Sequence, residues 1–349
     1  MKNLSLSRAS RRNFITYGAV ILAFLLLQAL AAGGHMSSML KGLLVPICAY
    51  IVMALSLNLT VGILGELSLG HAGFMSVGAF MGVTTAVSLQ NLVASRELRL
   101  VCALLVGAVF AGIVGFLVGI PVLRLNGDYL AIVTLAFGEI IKSVFNNLYL
   151  GMDSHGFHLS LLDNKLRMDE GGKLIIGGPM GVGGIQKIAN FATGFALIMV
   201  CLIVIFNLVN SRAGRAIMAI RDNRIAAESV GIPITKYKMM AFVVSAAMAG
   251  AAGALFALNF STIVANKFDF NTSILVLVFV VLGGLGNMMG SIAAAAALTI
   301  LPEALRQFAD YRMLVYAIVL ILVMLIRNNP TIRGFMDRFR FGGKGGAGE

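Results

Sequence analysis

The chain has 349 residues, of which 59% are hydrophobic and 12% are charged, and its formal net charge is +12. A soluble domain has about 25% charged residues, and a single core of this size could not bury so much apolar area, so the composition excludes an ordinary soluble protein. The long apolar runs are continuous and do not alternate, which predicts an all-α polytopic membrane protein. We interpret the positive charge as the positive-inside bias of such proteins, and expect no nucleic-acid partner.

A helix needs about 20 apolar residues to cross a membrane. By this measure we expect about ten transmembrane helices, near residues 14–32, 40–62, 67–89, 98–122, 129–150, 191–210, 239–259, 272–288, 291–305 and 311–327. Together they form a transmembrane domain of residues 14–327. Several segments are short or rich in glycine, and these are candidates for half-helices or re-entrant segments.

The basic residues predict the orientation of the spans. Residues 1–13 carry four Lys or Arg and no acid, the loop 211–238 carries six against two acids, and the tail from Arg327 carries five against two. Ten crossings place the N-terminus (1–13), the loop 211–238 and the tail (328–349) together on the cytoplasmic side of the cell membrane. The loop 151–190 has balanced charge and is expected outside, as a compact extracytoplasmic cap.

Clustered glycines begin two segments of small residues, VGILGELSLGHAGFMSVGAF (61–80) and VLGGLGNMMGSIAAAAAL (281–298). Paired glycine-interrupted segments in the two halves of a transporter mark the substrate pathway and its gate. Polar groups within spans are also functional candidates, because lipid does not solvate them. The candidate pathway residues are therefore Asn58, Glu66, Ser68, His71, Glu139, Gly283 and Gly286.

Simpler explanations exist for some of these polar groups. Glu66 and His71 lie near predicted span ends, where water would solvate them. Glu139 precedes Lys142 by three positions, which predicts an ion pair within one helix. For these residues a ligand role and a structural role both remain open.

No catalytic constellation occurs in the sequence, which lacks an HExxH motif, a paired-cysteine motif and a Walker motif. Its three cysteines, Cys48, Cys102 and Cys201, lie far apart in apolar runs and are expected to be buried hydrophobes. We therefore expect neither an enzyme nor a metal site nor a cofactor. Any ATP that powers transport would bind to another polypeptide.

Two short helices are expected in the loop 211–238. The first covers Arg215–Arg221. Asn223 is a plausible N-cap for the second, Arg224–Val230, which Gly231 at the C′ position and Pro233 would end. The residues available for apolar contacts are Ile217, Ile220, Ile225 and Val230. The loop is either an amphipathic surface at the membrane or a docking site for a soluble partner.

Four stretches of the chain, in this order, resemble branched-chain amino acid ABC transporter permeases of the LivM type. They are LSLNLTVGILGELSLGHAGFMSVGAF (55–80), LRLNGDYLAIVTLAFGEII (123–141), GRAIMAIRDNRIAAESVGI (214–232) with the following KMMAFVVSAAMAGAAGALFA (238–257), and LVFVVLGGLGNMMGSIAAAAAL (277–298). The resemblance covers most of residues 50–300. It implies a type II-like ABC importer permease that moves leucine, isoleucine or valine by alternating access.

The resemblance also implies partners. These are a second, LivH-like permease, two cytoplasmic ABC ATPases similar to LivG and LivF, an extracytoplasmic substrate-binding protein, and the lipid bilayer. ATP would be bound and hydrolysed by the ATPases, so the permease itself would hold no cofactor.

Bacterial ABC permeases often carry a loop motif of Glu-Ala-Ala, three residues and Gly, which docks on the ATPase. The corresponding residues here are Ile225, Ala226, Ala227 and Gly231, so the glutamate is missing, and Glu228 is nearby but outside the motif position. These five residues are the ATPase-coupling candidates that the resemblance implies.

Two alternatives remain open. A urea or short-chain amide ABC permease would fit the same sequence, because the binding protein largely sets selectivity. An ion-coupled secondary transporter or a channel acting alone would require ligand or proton groups in mid-span, and the sequence offers few of them.

Overall fold

A computed structural model describes residues 8–33, 38–90, 92–125, 127–153, 156–161 and 173–305, with residues 317–318 and 321. The chain divides into two compact units, Met1–Ala296 and Ala297–Glu349. In the second unit the structure describes mainly the last turns of one helix. The predicted tail 328–349 and almost all of the tenth predicted span lie outside the described residues.

The described residues form eleven α-helices. They are α1 (Arg8–Ala32), α2 (Ser38–Asn58), α3 (His71–Ser88), α4 (Arg96–Val122), α5 (Asp128–Asn147), α6 (Phe191–Asn210), α7 (Arg212–Asp222), α8 (Arg224–Ser229), α9 (Ile234–Ala257), α10 (Phe270–Gly283) and α11 (Met288–Ala304). Within this part of the chain, six helical stretches are long and apolar enough to cross a membrane, and two further apolar stretches are shorter. The mostly helical fold agrees with the prediction.

Nine of the ten predicted apolar segments coincide with these helices. Several predicted bounds differ from the structure by up to six residues, and glycines explain three of the differences. The segment 67–89 becomes helical only at His71, because the helix before it ends at Gly65, whose φ is 82°, and residues 65–70 are irregular. The segments 272–288 and 291–305 are divided earlier than predicted, between Gly283 and Met288, since Gly284 and Gly286 have positive φ values of 103° and 76°.

Short strands occupy part of the loop 151–190, a feature that the sequence analysis did not predict. Strands β1 (Tyr149–Asp153), β2 (Gly156–Ser160) and β3 (Lys173–Gly177) form an antiparallel sheet in the order β2-β1-β3. Strand β4 (Val182–Gly183) pairs with β5 (Thr262–Ile263). The β4–β5 pair joins the end of the loop to the connection that follows α9.

Small residues let α3, α4 and α9 approach one another closely, as in many membrane helix pairs. A Cβ atom on Gly78 would collide with the carbonyl oxygen of Gly250, and one on Gly253 would collide with that of Met75. The spans α2 and α9 are mostly buried, whereas α4, α5 and α6 keep wide apolar faces exposed. Lipid or a partner subunit would cover such faces in a membrane.

Helix α3 begins well inside the layer of helices. Its first residue, His71, contacts Ser245, which lies eleven positions after the start of α9 at Ile234. Eleven residues correspond to about 16 Å along a helix. The imidazole of His71 is 1% exposed, so the solvated position that the sequence allowed for this residue is wrong.

Candidate functional site

The centre of the candidate site is an interruption between α2 and α3, which we call the helix break (residues 59–70). Helix α2 continues as a π-helical turn, Leu59–Leu64, and ends at Gly65, whose φ is 82°. Only glycine adopts this left-handed conformation without a steric penalty. The chain is then irregular up to the start of α3, which lets polar backbone and side-chain groups of the break meet neighbouring helices.

Asn58 joins the helix break to the turn between α10 and α11. Its side-chain amide donates a hydrogen bond to Ser291 Oγ (2.9 Å), and its Oδ1 accepts one from the backbone N–H of Gly286 (2.8 Å). A Cβ on Gly283 would collide with Ser291, so α10 and α11 also lie in close contact. Three of the predicted pathway residues thus meet at one point.

His71 and Ser68 belong to a buried network with α9. The Oγ of Ser245 lies 2.7 Å from His71 Nε2, 2.9 Å from Thr60 Oγ1 and 2.6 Å from the carbonyl oxygen of Ser56. Since the single proton of Ser245 goes to Ser56, this hydroxyl accepts from Thr60 and from His71 Nε2–H.

The other ring nitrogen of His71, Nδ1, lies 3.1 Å from Ser68 Oγ and accepts from that hydroxyl. A neutral imidazole therefore satisfies every member of the network. Both ring nitrogens are hydrogen-bonded to serine side chains of the protein. This indicates that His71 has a structural role in this conformation and does not bind substrate.

Glu66 pairs with Lys238 at the start of α9. The two side chains are 14% and 3% exposed. Glu66 is therefore partly exposed and has a specific partner, whereas the sequence suggested only contact with water. In the sequence, Lys238 is only one of the basic residues of the loop 211–238 that predict its orientation.

Glu139 stands apart from the other pathway candidates. It pairs with Lys142 within α5, as the sequence predicted. It lines a shallow cleft between α3, α5 and α10 together with Asp269 and Ser273. The Oγ of Ser273 accepts a hydrogen bond from the N–H of Ala72 (3.2 Å), so this cleft lies beside the start of α3.

The loop 211–238 folds into α7 and α8, in agreement with the sequence analysis. Ser211 caps α7 by accepting a hydrogen bond from the N–H of Gly214 (3.1 Å). Asn223 caps α8 by accepting one from the N–H of Ala226 (3.0 Å), as predicted. The predicted end at Gly231 is also confirmed, since its φ is 81°.

A complete Schellman motif ends α8. The N–H of Gly231 donates to the carbonyl of Glu228 (3.0 Å), and the N–H of Ile232 donates to that of Ala227 (3.1 Å). Ala227 is buried against Ile220 and Ile234, and Ile232 packs on this cluster. A helix of six residues is unstable alone, so these contacts hold α8 in place.

The coupling candidates therefore lie on two faces of α8. Ala227 faces the protein, whereas Ala226 and Glu228 are exposed. Ile225 and Val230 are 78% and 75% exposed. The helix presents apolar side chains outward from a backbone that is fixed at both ends.

Thr134 and Arg221 also contact the helix break: Thr134 Oγ1 accepts a hydrogen bond from the N–H of Leu69, and Arg221 donates one to the carbonyl of Gly62. The residues of this site that the sequence analysis missed are Thr60, Thr134, Arg221, Lys238, Ser245, Ser273 and Ser291. Most are hydroxyl residues in apolar helices, where a hydroxyl commonly bonds to its own helix and carries no functional signal. The two basic residues, Arg221 and Lys238, were considered only as part of the positive charge that predicts the orientation of the loop 211–238. Among the described residues, no group of His, Cys, Asp or Glu is arranged to hold a metal.

Membrane-length helices, a broken helix at their centre and a capped helix on the connecting loop define a multi-pass membrane protein of the transport-permease class. The family model for the branched-chain amino acid transport system permease component matches residues 39–324. The chain belongs to this family, which confirms the resemblance drawn from the sequence. It is therefore a transport component and not an enzyme.

Three curated relatives are similar to this chain. The high-affinity branched-chain amino acid transport system permease protein LivM of Salmonella typhimurium is 37% identical over 298 residues, which cover 80% of this chain and 66% of the relative. The protein of the same name from Escherichia coli is 36% identical over 288 residues, with the same coverage. The probable branched-chain amino acid transport permease protein LivM of Methanocaldococcus jannaschii is 26% identical, covering 69% of this chain and 74% of the relative.

The chain thus spans slightly less than two thirds of the length of the first two relatives. No solved structure matches it.

Proposed function

We propose that this chain is a permease subunit of an ABC importer that moves leucine, isoleucine and valine by alternating access. The observation that carries the proposal is α8, a short capped helix with exposed Ile225 and Val230, in a member of the branched-chain permease family. Exposed apolar side chains on a rigid element are typical of a surface that a partner covers. An ATPase subunit is the partner that this position fits.

The proposed complex contains a second, LivH-like permease, two ATPases similar to LivG and LivF, and an extracytoplasmic binding protein. The basic loop 211–238 and the basic segments 1–13 and 328–349 support a cytoplasmic position for all three. The ordered strands in the loop 151–190 support an external cap that meets the binding protein.

We further propose that the helix break is the cytoplasmic gate of the pathway. Asn58, Glu66 and His71 are paired with neighbouring helices, and Ser68 is paired with His71. Gly62 lets the α10–α11 turn approach the helix break, Gly283 lets α10 and α11 approach each other, and Gly286 supplies a positive φ in the turn. Opening the pathway there must separate these groups and hydrate them. Glu139 lines the cleft beside α3, and we assign it to the same pathway above the gate.

Reconstitution tests this function. The chain would be co-expressed with a second permease, ATPases and a binding protein encoded by neighbouring reading frames, and the complex placed in proteoliposomes. We expect uptake of radiolabelled leucine that requires both ATP and the binding protein.

Two comparisons separate the alternatives. Uptake of urea or acetamide without uptake of leucine would contradict the proposed substrate but would agree with the ABC mechanism. Leucine uptake by this chain in liposomes that lack any ATPase would contradict the ABC mechanism and favour an ion-coupled transporter.

A further inference from the structure

Arg221, in the last turn of α7, reaches from the loop 211–238 to the helix break. Its Nη1 donates a hydrogen bond to the carbonyl oxygen of Gly62 (3.1 Å). Its aliphatic stem covers Gly65, where a Cβ atom would lie 2.5 Å from Arg221 Cγ. Asp222 Oδ1 accepts hydrogen bonds from Nε (3.1 Å) and Nη2 (2.9 Å) of the same guanidinium, which holds the fork in this orientation.

The carbonyl of Gly62 requires such a donor. The last carbonyls of a helix have no partner within the helix, and here the chain leaves the π-helical turn at Gly65. The N–H of Glu66 donates instead to the carbonyl of Thr60 (3.1 Å). A cation is also favoured at this end, because the helix dipole places partial negative charge there. Arg221 therefore supplies both a hydrogen bond and a complementary charge.

Gly62 is at the same time in contact with the α10–α11 turn. A Cβ on Gly62 would collide with the N of Gly286 and with Oδ1 of Asn58. Asn58 in turn binds Gly286 and Ser291. One uninterrupted set of contacts thus runs from the end of α7, which adjoins the Asn223 cap of α8, to the start of α11.

We propose that Arg221 is the positioning residue that transmits movement of α8 to the helix break, through its hydrogen bond to Gly62. The role in transport rests on the proposed function, in which α8 moves with an ATPase. The contact itself belongs to this chain alone. Arg215 provides a matched comparison, since its Nη1 also donates to a backbone carbonyl, that of Asn210 (3.3 Å), which belongs to the adjoining end of α6.

The contact is tested first in the purified chain, without partners, by hydrogen–deuterium exchange. We expect Arg221→Ala to accelerate exchange of the backbone amides in residues 62–67 by about tenfold, the effect of losing one charged hydrogen bond. Arg215→Ala should leave these amides unchanged. Equal exchange in Arg221→Ala and the unmodified chain would overturn the proposal.

The role in coupling is tested in the reconstituted complex by the number of leucine molecules imported for each ATP hydrolysed. Arg221→Ala should lower this ratio about tenfold while the ATPases still co-purify. Arg221→Lys keeps one donor and should recover part of the ratio, and Arg215→Ala should retain all of it. An unchanged ratio in Arg221→Ala would overturn the proposal.

The two measurements also separate this inference from the proposed function. A wild-type complex that binds no ATPase or imports no leucine contradicts the proposed function. The proposed role of Arg221 in transport would then be refuted as well, whatever the exchange experiment shows about its hydrogen bond to Gly62.

Discussion

Lys238 and Glu66 form a largely buried ion pair between the start of α9 and the irregular part of the helix break, 172 positions apart in the chain. The side chain of the lysine is 3% exposed and that of the glutamate is 14% exposed. Neither charge is well solvated, so each depends on the other. The pair ties the end of the loop 211–238 to the segment that leads into α3.

Removal of one charge should therefore cost more than removal of both. We expect Lys238→Met to destabilise the protein by about 3–5 kcal/mol, because a carboxylate stays buried without its partner. The double variant Lys238→Met/Glu66→Leu should recover most of this loss. Thermal unfolding in detergent with a thiol-reactive dye measures both, because Cys48 and Cys201 are buried and become accessible on unfolding. Cys102 is only half-buried, contrary to the sequence-based expectation, and is replaced by serine in every protein compared.

Lys236 provides the control for this ion pair. It lies two positions earlier and is exposed, so Lys236→Met should leave the unfolding temperature unchanged. If the single and double variants unfold at the same temperature, an unpaired Glu66 carboxylate is not the cause of the destabilisation, which contradicts the prediction.

Gly231→Val should uncouple ATP hydrolysis from uptake while membrane insertion stays intact. No atom lies within 4 Å of the position of an added Cβ, so the effect comes from backbone strain and not from a clash. A non-glycine residue in the left-handed conformation costs about 1–2 kcal/mol, enough to disturb the end of a six-residue helix. Leucine uptake per ATP in proteoliposomes is the measurement.

Gly231→Asn is the matched variant, because asparagine tolerates the left-handed conformation and often ends helices. It should retain most of the coupling. Normal coupling in Gly231→Val would argue against a docking role for α8.

Ile225→Ala and Val230→Ala should weaken binding of the ATPase and leave the fold intact. Both side chains are exposed, so truncation removes contacts with a partner only. An anchor residue in an interface contributes more than about 1 kcal/mol, which is at least about fivefold in affinity. Co-purification and a binding titration with the ATPase measure the effect.

Ile217 on α7 provides a contrasting variant, because this side chain is 0% exposed and packs inside the protein. Ile217→Ala should lower the stability by about 2–5 kcal/mol. Undiminished ATPase binding in the double variant Ile225→Ala/Val230→Ala would show that the partner docks elsewhere.

Gly253→Ala should destabilise the helix layer. Its Cβ would collide with the carbonyl of Met75 on α3, and neither backbone can move without separating the helices. Overpacking of this kind costs about 1–3 kcal/mol or more. Gly112→Ala is the control, because its Cβ would meet Ala247 at an ordinary 3.5 Å. The same unfolding assay compares them, and equal temperatures for the two variants would refute the close approach.

Much of the helical architecture was predictable, because hydropathy and helix capping are local properties. A long apolar run must form a helix to pair its backbone in lipid, so nine of the predicted spans coincide with helices. Asn223 and Gly231 lie within a few residues of the groups that they cap. The Glu139–Lys142 pair was predictable for the same reason.

The chemistry of the helix break was not predictable in this way. His71 meets Ser245 at a separation of 174 positions, and Asn58 meets Ser291 at 233. A serine or threonine in an apolar helix usually bonds to a carbonyl one turn earlier, as Thr84 does to Phe80. Nothing in the local pattern distinguishes the hydroxyls that instead join two helices.

The amino-acid sequence was sufficient to predict a helical membrane protein and the capped helix α8 in its basic loop, because these follow from composition and short-range contacts. The permease class came from the resemblance of four stretches to a known family. The tertiary fold was required to show that Arg221 and Lys238 of that loop reach Gly62 and Glu66 in the helix break. In the sequence, the positive-inside bias of the membrane orientation is enough to explain why both residues are basic. Their specific partners come from the close approach of helices far apart in the chain, which glycine-lined contacts permit.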